Sequence, residues 1–474
     1  MPREEICATI LYYFSARYNR RGKSALSERK NDFSKGSIPR NILMLAAPMT
    51  LAQLINVLYS VVDRMYLGRL PGHLALTGLG LTMPIVSILM GFANLCGMGG
   101  APLCSICRGQ GDDEEAEHIL GNSFTLLLIL GAAATLVFLL LKRPVLYLFG
   151  ASEATFPYAD AYLTVYLCGT LFVMVSLGMN PFITTQGFAK TSMLSVLVGA
   201  ASNIILDPIF IFALHMGVRG AALATIVSQA LSCTWVLHFL MGKKSYLKIH
   251  RCNMKLKKDI ILPSLALGLS TFIMQSSESI ISVCFNSSLL KYGGDLSVGA
   301  MTILTSAMQF ALLPLQGLGQ GAQPIISYNY GAGQTKRVKD SFKLLLKIDL
   351  SYSTLMWLLV MLFPAGFASI FTSDQALLTF TAHALRIYMA SILLFGIQMA
   401  CQMTFTSIGN AKASIIVAVT RKFILLLPLI YIMPHIFTAD QTSAVYMAEP
   451  IADFLAICFT SILFRFEFKK ALAR

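Results

Sequence analysis

The chain has 474 residues, 56% of them apolar (AVILMFWYC) and only 13% charged, with a net charge of +14 and a mean hydropathy of +0.68. A soluble protein needs about 25% charged residues to cover its surface. Soluble enzymes, disordered proteins and nucleic-acid binders are therefore disfavoured as classes, and the sequence reads as that of a membrane protein.

Residues 1–38 come first. The apolar stretch 6–14 could pass for a short signal region, but it is brief and is followed by Arg17, Arg20, Arg21 and Lys23. It also lacks a convincing cleavage site, so a cytosolic N-terminal extension is expected. Beyond it, a spanning helix needs about 20 predominantly apolar residues. Twelve stretches qualify: 39–67, 74–100, 118–141, 156–180, 191–213, 217–240, 259–288, 296–322, 341–364, 378–404, 411–434 and 442–464. Several are longer than a bilayer requires, which predicts tilt, kinks or extension beyond the lipid.

With the N-terminus placed in the cytoplasm, 27 Lys and Arg fall on the inside and 5 on the outside. That asymmetry predicts an even number of spans with both termini cytoplasmic. The basic excess is thereby explained by topology rather than by a nucleic-acid partner. Ten cysteines are scattered. The one close pair, Cys104 and Cys107, has no second pair or His cluster, so small apolar packing is a better reading than zinc.

The chain repeats itself. Pro48 and Asp63 have the same spacing as Pro263 and Glu278. Gly99-Gly-Ala-Pro102, with Ser105, Gly109 and Gly111, parallels Gly321-Ala-Gln-Pro324, with Ser327, Gly331 and Gly333. Thr184, Gly187-x-Ala-Lys190 and Ser192 parallel Thr406, Gly409-x-Ala-Lys412 and Ser414. The last two sets are offset by 222 residues. Six spans return the chain to its starting side, so the two halves have one orientation and are related by an axis along the membrane normal. The expected architecture is all-α, with an N-lobe (39–240), a basic cytoplasmic linker (241–258), a C-lobe (259–464) and a cytoplasmic C-terminus (465–474). Two lobes around a cleft suit alternating access.

Ionisable residues inside spans are costly and mark function by default. Asp63 lies near the outer end of the first span and Asp207 near the outer end of the fifth, four residues after Asn203 on the same helix face. Thr225 is about two turns into the sixth span from the outside. All are oxygen donors, which suit a hard cation, and a dry carboxylate pair can also hold a proton. Pro208 frees a nearby carbonyl as another possible ligand. The structural alternatives are an interfacial Asp63 paired with Arg64, although adjacent helix residues diverge, and an Asp207 that merely satisfies Asn203. For Glu278 the two readings stand even. Arg421, Lys422, Glu449 and Asp453 either pair with one another as structure, the preferred reading, or contribute to a second ion path. Gln53, Asn56, Gln275, Gln309, Gln316 and Gln398 either line the cleft or bond between helices. The 23 Met and 30 Phe are core or lipid-facing, or line a cavity suited to flat apolar ligands. With no nucleotide-binding loop, HExxH, GxSxG or cofactor fingerprint, the work is expected to come from an ion gradient.

Several of these segments resemble the multidrug and toxic compound extrusion (MATE) family, most closely its MepA-like bacterial branch, over about residues 35–470. They are Gly36-Ser-Ile-Pro-Arg40, Pro48-Met-Thr-Leu-Ala-Gln-Leu-Ile-Asn56 with Val62-Asp63-Arg64, Asn203-x-x-x-Asp207-Pro208, Gln323-Pro-Ile-Ile-Ser-Tyr-Asn-Tyr-Gly-Ala-Gly333 and Glu449-Pro-Ile-Ala-Asp453. The resemblance implies a 12-helix transporter with two lobes in a V, exporting cationic or aromatic drugs in exchange for H+ or Na+. It implies a cation site at Asp63, Asn203, Asp207 and Thr225, a kink at Pro48, and a functional acid on the seventh helix at Glu278; Gln53, Asn56, Gln275 and Gln309 are placed with Glu278 in the substrate cavity on their polarity alone. It also implies no cofactor beyond the coupling ion, a monomer among membrane lipid, and a bacterial plasma-membrane location. Some relatives use an Asp on the tenth helix for sodium. Here 378–404 has no acidic residue, so the N-lobe is the expected ion site. A lipid-linked oligosaccharide flippase of the same superfamily, or a passive channel, is the alternative.

Overall fold

The computed structural model describes residues 32–67, 73–372 and 374–473; the apolar stretch 6–14 and Arg69 lie outside them. Among the described residues there is no strand. The helices are α1 (Ile38–Leu67), α2 (His73–Gln110), α3 (Asp113–Leu148), α4 (Phe156–Cys168 and Thr170–Thr185), α5 (Ala189–Ala213) and α6 (Val218–Met241). A second set follows: α7 (258–293) and α8 (295–331), α9 (Thr335–Leu362), α10 (Gln375–Tyr388 and Ile392–Ser407), α11 (Ala411–Ile436) and α12 (Gln441–Leu472). α7 and α8 run on with only a kink at Gly294, whose φ of 65° breaks the helical path. α4 and α10, at equivalent places in the two halves, are bent by 58° and 50°. The fold is therefore an all-α membrane protein of twelve spans.

Most helices run beyond the apolar stretches that predict them. α2 continues past residue 100 to Gln110, α3 begins at Asp113 rather than 118, and α8 continues to 331. Hydropathy fades where a helix leaves lipid, but the backbone hydrogen bonds do not. Capping decides those ends instead: Asp112 accepts from the Glu115 N–H, Asn410 from Ala413 and Asp440 from Ser443, as N-cap chemistry requires. Large apolar side chains such as Leu140 and Leu148 on α3 and Val283 on α7 are exposed, as a lipid-facing surface demands.

The repeat is visible in the turns and contacts. Gly111 and Gly333 end α2 and α8 with φ of 84° and 71°, and Gly187 and Gly409 follow α4 and α10 with φ of 89° and 74°. These left-handed positions explain why glycine recurs at the 222-residue spacing. Thr184 Oγ1 lies 3.1 Å from Ser192 Oγ, and Thr406 Oγ1 lies 3.4 Å from Ser414 Oγ. Six helices of each repeat thus form two lobes related by a pseudo-twofold axis.

The lobes meet along α1–α8 and α2–α7/α8. At mid-helix, Gln53 Nε2 donates to Gln320 Oε1 at 3.1 Å and Asn94 Nδ2 to Gln275 Oε1 at 2.7 Å. From there toward residues 38 and 331 the packing tightens. Ser105 Oγ donates to the Pro324 carbonyl at 3.0 Å, and Ile42, Leu45 and Ala46 are buried against Ala322, Ile325 and Ile326. Arg337 on α9 donates to the Phe33 and Gly36 carbonyls, strapping the chain ahead of α1 onto the C-lobe. Beyond Gly91, which packs against Phe272, no hydrogen bond joins the lobes among the described residues, and Glu278 is 64% exposed. The molecule is closed at the end where α1 starts and α8 ends, and open at the other.

The basic stretch between the lobes is fastened to the N-lobe. Gln186 Oε1 accepts from the Tyr246 and Leu247 N–H groups, and Asn122 Oδ1 accepts from the Lys257 N–H.

Candidate functional site

α5 brings the first cluster together. Asn203 and Asp207 are one turn apart on its buried face, 2% and 0% exposed, and Asn203 Nδ2 donates to Asp207 Oδ1 at 3.2 Å. After Pro208 the helix widens into a π turn, Ile209–Ala213, in which the Leu214 N–H reaches the Ile209 carbonyl. Such turns concentrate at functional sites. Asp63, half-buried on α1, lies close enough to Asp207 for the two carboxyl groups to act on each other electrostatically. Two carboxylates that close repel, so the arrangement holds when a proton or a cation is shared between them. Asn203 Oδ1 is buried and has no protein partner, which leaves a third oxygen beside the pair. A small set of convergent oxygens out of water suits a hard cation or a proton.

Aromatic hydroxyls complete this site. Tyr59, one turn before Asp63 on α1, lies within electrostatic range of both carboxylates. Tyr162 on α4 lies within electrostatic range of Asp63 and near Thr225. Thr225 Oγ1 donates to the Ala221 carbonyl at 3.0 Å. The i, i+4 spacing of Tyr59 and Asp63 was the available signal for the tyrosine. Tyr162 had none, because its helix approaches from elsewhere in the chain.

Of the residues assigned to the cavity, Gln53 and Gln275 form the two mid-helix bonds between lobes. Asn56 is half-buried and Gln309 exposed. Pro48 lies within α1, which runs through it as one helix; lacking an N–H, it leaves the Met44 carbonyl without its usual donor.

The C-lobe holds a denser charge cluster. Arg421 Nε donates to Asp453 Oδ1 at 2.6 Å and Nη2 to Glu449 Oε1 at 3.4 Å, while Ser391 Oγ donates to Asp453 Oδ2 at 3.1 Å. Arg421 also stacks on Phe395, 4.8 Å from the ring centre. Lys422 Nζ donates to Glu278 Oε1 at 2.7 Å. Both basic residues stand on a second π segment, Thr420–Leu426 of α11. The pairing of Arg421 with Glu449 and Asp453 inside the lobe agrees with its structural reading. Asp349 on α9 is a further buried acid, 0% exposed, with neither carboxylate oxygen partnered. Its place within the polar run around Lys347 and Ser351 concealed it in the sequence.

No group of three or more His, Cys, Asp or Glu side chains suited to a metal is present among the described residues. Cys104 and Cys107 are both buried, with Cys104 Sγ 3.7 Å from the Ala116 carbonyl.

The MatE family model matches residues 48–209 and 269–432, one stretch in each lobe. The chain belongs to the MATE family. It is 26% identical over 426 residues to the multidrug export protein MepA of Staphylococcus haemolyticus, covering 90% of this chain and 94% of that protein. To MepA of Staphylococcus aureus it is 27% identical over 408 residues, covering 85% and 89%. Its fold matches the outward-facing conformation of a multidrug resistance MATE family transporter, with a TM-score of 0.88 at 24% identity, covering 94% and 99% of the two chains. As a MATE family member of the MepA-like branch it stands among membrane transporters rather than enzymes.

Proposed function

We propose that this protein is a secondary active efflux antiporter that exports lipophilic cationic and aromatic drugs in exchange for H+ or Na+ by alternating access. In this reading both termini and the 241–258 linker are cytoplasmic, the lobes span 39–240 and 259–464, and the closed end of the molecule faces the cytoplasm of a bacterial cell. The protein then works as a monomer in the plasma membrane, and the open cleft faces outward.

The observation that carries the reading is the buried Asn203–Asp207 pair, with Asn203 Oδ1 unpartnered and Asp63 within electrostatic range of Asp207. An ion entering from outside is shared by Asp63 and Asp207 and draws α1 toward α5. Because α1 also packs on α8 across the closed end, a shift of α1 at Pro48 transmits occupancy of the ion site to the contact between lobes. Return to the inward-open arrangement discharges the ion to the cytoplasm. A membrane potential supplies about 2.3 kcal/mol per charge per 100 mV for this cycle.

The test is efflux of a fluorescent lipophilic cation, ethidium, from cells producing the wild type, Asp63→Asn or Asp207→Asn at equal membrane abundance. The reading predicts loss of energised efflux in both variants. Efflux with an unchanged rate and ion dependence in Asp63→Asn would sink the coupling scheme.

A further inference from the structure

The two lobes differ at equivalent places. Asp63 and Glu278 follow the prolines of α1 and α7 at the same spacing, and α5 and α11 each carry a π turn. Asp207, an acid, precedes the first π turn, whereas the second carries Arg421 and Lys422. The C-lobe therefore contains its own cations where the N-lobe offers only oxygens.

The two cations are held differently. Arg421 is locked on three sides by Asp453, Glu449 and the Phe395 ring, and Asp453 is pinned in turn by Ser391. Lys422 is 3% exposed, and its one hydrogen bond is to Glu278. Glu278 is 64% exposed, unlike Glu449 and Asp453, at 4% and 1%. The ammonium thus reaches from a buried stem to a carboxylate on an open wall. Glu449, also within electrostatic range of Lys422, receives only the long 3.4 Å contact from Arg421. The cluster sets three acids against two bases.

Resting on the efflux reading above, we propose that Lys422 is a tethered cation that occupies Glu278 in the empty cleft and is displaced by a lipophilic monocation. The ligand takes Glu278, and the Lys422 ammonium turns back to Glu449. No covalent change is involved, and no metal ion is needed at this lobe. Lys422 therefore sets the affinity threshold for cationic substrates, and Glu449, buried away from the cleft, supplies its alternative seat.

The experiment is equilibrium binding of tetraphenylphosphonium to the purified full-length protein in lipid nanodiscs at fixed pH and sodium. Lys422→Gln is expected to bind about tenfold more tightly, because a competing charge is gone. Lys422→Arg should stay within about twofold of wild type, since it keeps the pair. Glu449→Gln should bind about threefold more weakly, although it does not face the ligand, and Glu278→Gln should bind about tenfold more weakly, all on the same charge argument. Unchanged or weaker binding in Lys422→Gln overturns the proposal. If that variant does not fold, wild-type affinity in Glu449→Gln overturns it equally. Absence of binding in every variant also overturns it, whereas ethidium efflux by the wild type and its loss in Asp63→Asn decide the transport reading separately.

Discussion

Gly109 and Gly331 make one contact twice. A Cβ on Gly109 would stand 2.0 Å from the Tyr328 carbonyl oxygen, and a Cβ on Gly331 would stand 2.0 Å from the Ile106 carbonyl oxygen. Ile106 and Tyr328 are themselves 222 residues apart, as are the two glycines, so the pseudo-twofold axis passes between α2 and α8. Backbone meets backbone there, and no side chain can yield to make room. Gly331→Val or Gly109→Val should therefore force the closed end apart at a cost of about 1–3 kcal/mol. Thermal unfolding in detergent should register the loss, and a cysteine placed at Ser105 should become reactive to a water-soluble maleimide. Wild-type stability and continued protection of that cysteine would contradict the close approach.

Tyr59 and Tyr162 flank the N-lobe carboxylates without being acids. Replacing either with Phe keeps the ring and removes only the hydroxyl, so the fold should survive. Both tyrosines lie within electrostatic range of Asp63, so losing a hydroxyl dipole changes how strongly that carboxyl group holds a shared ion. The half-saturating concentration of the driving ion should rise about tenfold, a shift of that size being about 1.4 kcal/mol. Efflux rate measured against ion concentration checks this, and an unchanged half-saturation in both variants would remove the tyrosines from the site.

Asp349 has no partner for either oxygen. Burying an unpaired polar group costs about 1–3 kcal/mol, more if it is charged. Asp349→Asn has nearly the same shape and removes the charge, so it should raise the thermal midpoint while leaving ethidium efflux intact. A lower midpoint would mean that the carboxylate is paired in the working protein, and lost efflux would place it on an ion path.

The span count, the repeat and the pairing of Asn203 with Asp207 are legible in the sequence because each rests on a local pattern. Apolar length marks a span, and Asn203 and Asp207 share a face by spacing alone. The 222-residue repeat set the expectation that Gly109 and Gly331 were equivalent, but not that each lies on the other half's backbone. The rest depends on packing between distant helices. Glu278 and Lys422 are far apart in the chain, and their ion pair forms only because α7 and α11 pack together. Thr225 shares the depth of the carboxylates by residue number, and its hydroxyl donates to the Ala221 carbonyl of its own helix. Depth along a helix follows from residue number, whereas the direction of a side chain around the bundle follows from the fold.

Coupling requires an ion shared between Asp63 and Asp207. The most direct test of that sharing is transport of ethidium by purified protein in proteoliposomes, with a pH gradient and a sodium gradient imposed separately. The wild type should accumulate ethidium against its gradient under one of the two, and Asp207→Asn should only equilibrate it under both. Gradient-driven accumulation by Asp207→Asn at the wild-type level would contradict the account.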